Sequence, residues 1–142
     1  MANFNFPKDL VDLRQWVCWR PEHDAKYDRD DKVPYSPITR RRASVSNPEV
    51  WSSLEVALAY KGKYLFPGVG FVFAAESGIV GIDIDHCLDD DGEPNETATA
   101  ILAKLPPTYI EISPSGRGLH IFLRGTAPSG GNKNTEIDVE IL

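Results

Sequence analysis

Two aspartates one residue apart, Asp83 and Asp85, interrupt the apolar run Ile79-Val80-Gly81-Ile82-Asp83-Ile84-Asp85. On a strand, successive side chains point to opposite faces, so Val80, Ile82 and Ile84 share one face and the two carboxylates stand together on the other. Carboxylates held that close raise one another's pKa unless a cation offsets them, and hard oxygen donors favour Mg²⁺ or Mn²⁺. Paired acids on a wet strand face are also common, so the spacing alone does not make a metal site. The same alternation elsewhere supplies company. It sets His120 and Arg124 against the aliphatic positions of Leu119-His120-Ile121-Phe122-Leu123-Arg124, and Asp138 and Glu140 against those of Ile137-Asp138-Val139-Glu140-Ile141. If these strands share a sheet, Asp83, Asp85, His120 and Glu140, with Glu111, gather opposite the core.

Pro114-Ser115-Gly116-Arg117-Gly118 falls between two expected strands. It offers a hydroxyl, a guanidinium and flexible backbone whose N–H groups can form an anion-binding nest. A plain hairpin turn uses the same residue types. His120, just beyond, tips the reading towards phosphate because it can donate to a phosphate oxygen. Carboxylates holding divalent metal beside such a turn suit in-line displacement on a nucleoside triphosphate. The same carboxylates could activate water in a nuclease, and a sheet that binds nucleotide or nucleic acid without turnover is the reading from another class. His86 and Cys87 are adjacent on the chain and should point apart, which disfavours a shared metal. Asp89-Asp90-Asp91-Gly92-Glu93 lacks the register of a calcium loop.

Several elements must position these residues. Residues 15–20 read as a strand, 21–31 as an exposed loop, and 32–37 as extended chain restricted by Pro34 and Pro37. Asn47-Pro48-Glu49 carries a cap, a first-turn proline and an acid, predicting a helix that buries Trp51, Leu54 and Leu58 and frays near Gly62. Residues 69–73 and 79–85 read as a hairpin, 98–105 as a short helix capped near Asn95, and 109–113, 119–124 and 137–142 as strands. The Gly-, Ser- and Asn-rich stretch 126–135 is an expected loop.

The 142 residues, 42% hydrophobic with three Trp, six Phe and five Tyr, supply a packed core without disulfides. Cys18 and Cys87 form no C-x-x-C pair, which argues against a zinc or disulfide framework. The net charge of −6 is unevenly spread: residues 1–70 hold 11 basic and 9 acidic side chains, +2, and residues 71–142 hold 4 and 12, −8. An acidic half can neutralise itself by binding divalent metal, and polyphosphate then approaches the metal rather than the carboxylates. A solvated acidic surface is the ordinary alternative for Asp89-Asp90-Asp91. Lys32, Arg40, Arg41 and Arg42 are candidates for a nucleic-acid backbone track, with Trp16, Trp19 or Tyr35 for base stacking, although a solvated arginine run and core tryptophans are the ordinary alternative. No leader-like start or bilayer-length apolar run is present, so a cytoplasmic location and no membrane partner are expected.

Taken in order, Trp16-Val17-Cys18-Trp19-Arg20, Lys32-Val33-Pro34-Tyr35-Ser36-Pro37, Ala43-Ser44-Val45-Ser46-Asn47-Pro48 with Trp51, Gly70-Phe71-Val72-Phe73, Val80-Gly81-Ile82-Asp83-Ile84-Asp85 and Glu111-Ile112-Ser113-Pro114-Ser115-Gly116-Arg117-Gly118-Leu119-His120 resemble the primase-polymerase (Prim-Pol) branch of the archaeo-eukaryotic primase superfamily, found in phages, plasmids and other mobile elements. The resemblance covers nearly the whole chain. It implies an α+β fold, with an RRM-like antiparallel or mixed catalytic sheet (69–142) preceded by a small N-terminal α/β module (1–68), the two forming one catalytic domain over 1–142. It implies a nucleotidyltransferase, a DNA-directed DNA or RNA polymerase of primase type, that uses nucleoside triphosphates on single-stranded DNA template or primer-template. Asp83 and Asp85 match the family's metal-binding pair and His120 its nucleotide-binding histidine. The third acid sits on a later strand, where Glu140 fits best, with Asp138 or Glu136 as alternatives. Family members usually continue past that strand, often into a helicase domain. A C-terminal truncation and a helicase domain or protein as partner are therefore expected, and activity of this stretch alone is not assumed.

Overall fold

The computed structural model describes residues 7–74, 76–127 and 133–142. The chain divides into two compact units, Met1–Ala74 and Ala75–Leu142. The division falls after residue 74 rather than after 68, because the strand around residue 70 belongs with the first unit. Both units are α+β, and every strand pairing among the described residues is antiparallel.

In the first unit, helix α1 (Lys8–Val11) precedes a three-stranded sheet of order β2-β1-β3, with β1 at Trp16–Asp24, β2 at Arg29–Tyr35 and β3 at Gly68–Phe71. The expected exposed loop over 21–31 is instead the far end of a β1–β2 ribbon, paired from Cys18↔Tyr35 to Asp24↔Arg29. Its backbone groups are satisfied by the partner strand, so it forms without a buried face and leaves no hydropathy pattern to read. The helix expected at Asn47 is a single 3-10 turn, Pro48–Val50, with the Asn47 side chain accepting from the Glu49 N–H. The chain then re-extends so that Ser52 bridges to Trp16, which is 1% exposed. Helix α2 (Leu54–Tyr64) begins only at its Ser53 cap, whose hydroxyl accepts from Val56 N at 3.2 Å.

The expected hairpin between residues 69–73 and 79–85 does not form among the described residues. β3 pairs with β1 instead, Trp16↔Phe71 through Trp19↔Gly68. Gly68 is what admits that neighbour, since a Cβ there would lie 2.6 Å from Trp19 Nε1.

The second unit is a five-stranded sheet of order β5-β6-β4-β8-β7: β4 Ile79–Ile84, β5 Tyr109–Ile112, β6 Leu119–Arg124, β7 Lys133–Asn134 and β8 Val139–Ile141. Helix α3 (Glu96–Lys104) starts at Asn95, whose side chain accepts from Ala98 N at 2.9 Å. Ile84 and Ile121 are fully buried in a core with Leu119, Ala98, Cys87 and Leu88, against which Ile82, Ile101, Leu102, Leu123 and Val139 also pack. This is the aliphatic face of the expected alternation, covered by the helix. β4 ends one residue short of Asp85, and His86 (φ 52°) turns the chain. β8 starts at Val139, because Asp138 takes a left-handed backbone (φ 56°) in the turn before it. Among the described residues, no helix is long and apolar enough to cross a membrane.

Candidate functional site

Strand register assembles the site. Glu111↔His120, His120↔Asp83, Asp83↔Glu140 and Glu140↔Lys133 are successive cross-strand partners, so one row runs across all five strands from β5 to β7. Directly opposed residues in antiparallel strands project from the same face, within interaction range. Because Ile82, Leu119, Ile121 and Val139 face the helix, the row lies on the opposite face.

Within the row, Glu111 Oε1 is 3.2 Å from His120 Nδ1, and His120 Nε2 is 3.5 Å from Asp83 Oδ1, an oxygen buried from solvent. Lys133 Nζ lies 3.9 Å from Glu140 Oε2. At the centre of the row Asp83 and Glu140 oppose each other directly, with His120 and Lys133 as their outer neighbours. Among the described residues Glu22 and Asp31 are also opposed acids, with Arg42 at 3.1 Å from Glu22 and Arg29 at 2.9 Å from Asp31.

Asp85 lies in the turn after β4, exposed, with its N–H donating to the Asp138 carbonyl at 2.8 Å. The structure thus places Asp83 on the row and Asp85 at its end, rather than both on a continuing strand. Asp138 leaves the row for the same reason, and its carboxylate sits 3.5 Å from His86 Nδ1. Glu136 is exposed in the same turn. His86 is exposed and Cys87 buried, so the two are not presented together. Among the described residues, no three His, Cys, Asp or Glu side chains converge to hold a metal ion by themselves. Two opposed carboxylates do fit Mg²⁺, which is commonly held by one or two carboxylates, with water and substrate phosphates completing its shell.

The turn between β5 and β6 is internally bonded. Gly116 N donates to Ser113 O at 2.9 Å, Arg117 N to Ser115 Oγ at 3.2 Å, and Gly118 N to Ser113 Oγ at 3.1 Å. The expected nest of N–H groups is therefore already occupied by the turn's own oxygens. The Arg117 carbonyl accepts from the N–H groups of both Cys87 and Leu88, which ties the turn to the end of β4, and its guanidinium lies 2.6 Å from Asp90. What the turn still offers is the Arg117 guanidinium, once exchanged from Asp90, since the Ser115 hydroxyl is itself engaged by Arg117 N and by Ser113 Oγ at 2.9 Å.

Tyr109 was not foreseen, although alternation in Tyr109-Ile110-Glu111 places it on the same face as Glu111. Its hydroxyl donates to Glu111 Oε2 at 3.0 Å and its ring lies 5.4 Å from that of Phe122. Burial, reinforced by the Glu111 carboxylate, pushes its phenol up to about 12. Lys133 was likewise missed, because β7 is two residues long and has no pattern of its own.

The basic candidates lie in the first unit and differ in their engagements. Lys32 Nζ is 5.5 Å from the Trp19 ring and the Arg40 guanidinium 5.8 Å from the Tyr64 ring. Arg42 is paired with Glu22, whose carboxyl is held below its ordinary value by the Tyr35 hydroxyl and by Arg42. Arg41 is exposed. Of the stacking candidates, Trp16 and Tyr35 are buried and Trp19 half-buried.

No protein-family model matches the chain. Over 131 residues, 92% of its length, it is 36% identical to a DNA primase-polymerase of Nitratiruptor phage NrS-1. The chain spans 17% of that relative's length.

Proposed function

Since the chain belongs with the phage primase-polymerases, we propose that its second unit carries a metal-dependent nucleotidyl-transfer site acting on nucleoside triphosphates along a nucleic-acid template. The observation that carries this reading is the direct opposition of Asp83 and Glu140 at the centre of the row. Like charges so placed are destabilising by themselves, and a divalent cation between them reverses the sign. Asp83 and Glu140 would hold Mg²⁺ or Mn²⁺, with Asp85 as a further carboxylate at the strand end. Bound there, the cation would offset charge on the attacking hydroxyl and on the triphosphate oxygens.

The chain's own groups bind and orient. His120 offers a ring N–H to a phosphate oxygen, and Arg117 and Ser115 lie on the turn that leads into the same strand. Single-stranded DNA or a primer-template is the proposed partner of Lys32, Arg40 and Arg41, with Arg42 secondary because Glu22 already engages it. An RRM-like binding module without turnover would present aromatic rings on the sheet, whereas Phe122 is buried and Tyr109 half-buried.

Thermal unfolding with Mn²⁺ and nucleoside triphosphate tests the site, because ligands that bind only the folded state raise its melting temperature. A rise in the wild type that disappears in Asp83→Ala supports the reading. No rise in the wild type, or an equal rise in Asp83→Ala, sinks it. Primer extension by wild type against Asp83→Ala and Glu140→Ala then separates polymerisation from cleavage of the template.

A further inference from the structure

The row contains one side chain whose orientation the proposed chemistry depends on and whose support lies outside any metal-holding set. From the geometry around His120 we infer that Glu111 and Tyr109 are positioning residues, which lock the imidazole ring so that Nε2 faces the Asp83–Glu140 centre. This rests on the nucleotidyl-transfer reading for its purpose but not for its geometry.

An ionised carboxylate has no hydrogen to give, so the 3.2 Å contact between Glu111 Oε1 and His120 Nδ1 requires an N–H on Nδ1. The other Glu111 oxygen is taken by the Tyr109 hydroxyl at 3.0 Å. With both oxygens engaged, the carboxylate has little freedom to rotate away. Tyr109 is itself held by its contact with Phe122, a buried residue of the strand that carries His120. The chain of contacts Phe122, Tyr109, Glu111, His120 thus starts and ends on β6.

The ring's other near neighbour is Asp83, whose Oδ1 lies 3.5 Å from Nε2. A cation held by Asp83 would compete with the imidazole for that carboxylate, leaving Glu111 as the group that still fixes the ring. The dependence on Glu111 would therefore be greatest in the loaded site. Partners of this kind, one contact removed from the reacting groups, commonly change ligand affinity by roughly tenfold or more when deleted.

Glu111→Ala, Glu111→Gln and Tyr109→Phe are compared in two measurements on the full chain. The first follows the His120 imidazole by nitrogen-15 NMR in metal-free, nucleotide-free protein. A protected Nδ1–H signal is expected in wild type and in Glu111→Gln, whose amide oxygen can accept the same bond, and is lost in Glu111→Ala. The second is a titration of the thermal shift with deoxy- and ribonucleoside triphosphates in the presence of Mn²⁺. The half-maximal concentration should rise roughly tenfold in Glu111→Ala, rise less in Tyr109→Phe, and stay near wild type in Glu111→Gln. A protected Nδ1–H that survives in Glu111→Ala, or a Glu111→Gln as impaired as Glu111→Ala, overturns the positioning role. If wild type shows no response to Mn²⁺ and nucleotide, the nucleotidyl-transfer reading fails and the imidazole spectrum still decides this one.

Discussion

Asp83 on β4 and Glu140 on β8 are direct cross-strand partners, two acids facing each other on one side of a sheet whose other side is closed by a helix. His120 and Lys133 flank them at 3.5 and 3.9 Å, beyond the reach of a short charge-assisted hydrogen bond.

Glu140→Gln should therefore stabilise the metal-free protein by about 0.5 kcal/mol, since opposed like charges cost a few tenths to one kcal/mol. It should also abolish the Mn²⁺-dependent rise in melting temperature. Thermal unfolding with and without Mn²⁺ checks both, and a variant that loses stability while keeping its Mn²⁺ response contradicts the assignment.

The two glycines of the β5–β6 turn should respond differently to alanine. A Cβ on Gly118 would lie 2.8 Å from the Ile84 carbonyl and 3.1 Å from Ser113 Oγ, at backbone that cannot easily yield. Gly118→Ala should cost about 1–3 kcal/mol as an overpacking change, and it disturbs the end of β4. Gly116 has open space around it but a φ of +77°, so Gly116→Ala should cost only the left-handed penalty of about 1 kcal/mol. Denaturant unfolding ranks the two, and equal losses would contradict the described turn.

Tyr109 provides a pH readout. Its phenol is raised from 10.0 to about 12, so the folded state holds the proton more tightly than the unfolded chain. The associated stability is fully present below pH 10 and is lost as pH rises from 10 towards 12. Burial also raises the Tyr60 phenol, so tyrosinate absorbance should show more than one late-ionising tyrosine in the folded protein, and the late amplitude should fall by one phenol in Tyr109→Phe. An undiminished late amplitude in that variant would contradict the assignment to Tyr109.

Among the arginines, Arg40→Ala and Arg41→Ala should each weaken single-stranded DNA binding and lower the slope of log affinity against log salt by about one. Arg42→Ala should have less effect, because its guanidinium is already committed to Glu22. Fluorescence anisotropy across a salt series measures all three. An Arg42 effect equal to that of Arg40 would show that the Glu22 pair opens freely.

Legibility in the sequence followed burial. β4, β6 and β8 each have one aliphatic face, and simple alternation along the sequence places Asp83, His120, Glu140 and Glu111 on a common side. Alternation could not locate strand ends, because Asp138 and His86 adopt left-handed backbone that aspartate and histidine only occasionally take. It removed Asp138 from the face and left Asp85 just outside the strand. Pairing partners were less legible still. The short turn after Phe73 suggested a hairpin with β4, whereas the indole of Trp19 and the missing side chain of Gly68 make β1 the neighbour of β3. The roles of Ser115, Arg117 and their N–H groups were hidden because acceptors such as Ser113 Oγ and Asp90 come together only in the folded turn.

Beyond Trp19 the β1–β2 ribbon has no third strand among the described residues, so both of its outer edges are open for five successive residue pairs. Such edges are templates for other chains to add to. Every one of those five pairs, Arg20↔Val33, Pro21↔Lys32, Glu22↔Asp31, His23↔Asp30 and Asp24↔Arg29, includes a charged residue, and Pro21 removes a donor from the edge as well. The ribbon's polarity, which concealed it from a hydropathy reading, also works against its sticking to itself: apart from Val33 and Tyr27, its sequence gives an incoming strand little apolar surface to bury and several charges to desolvate.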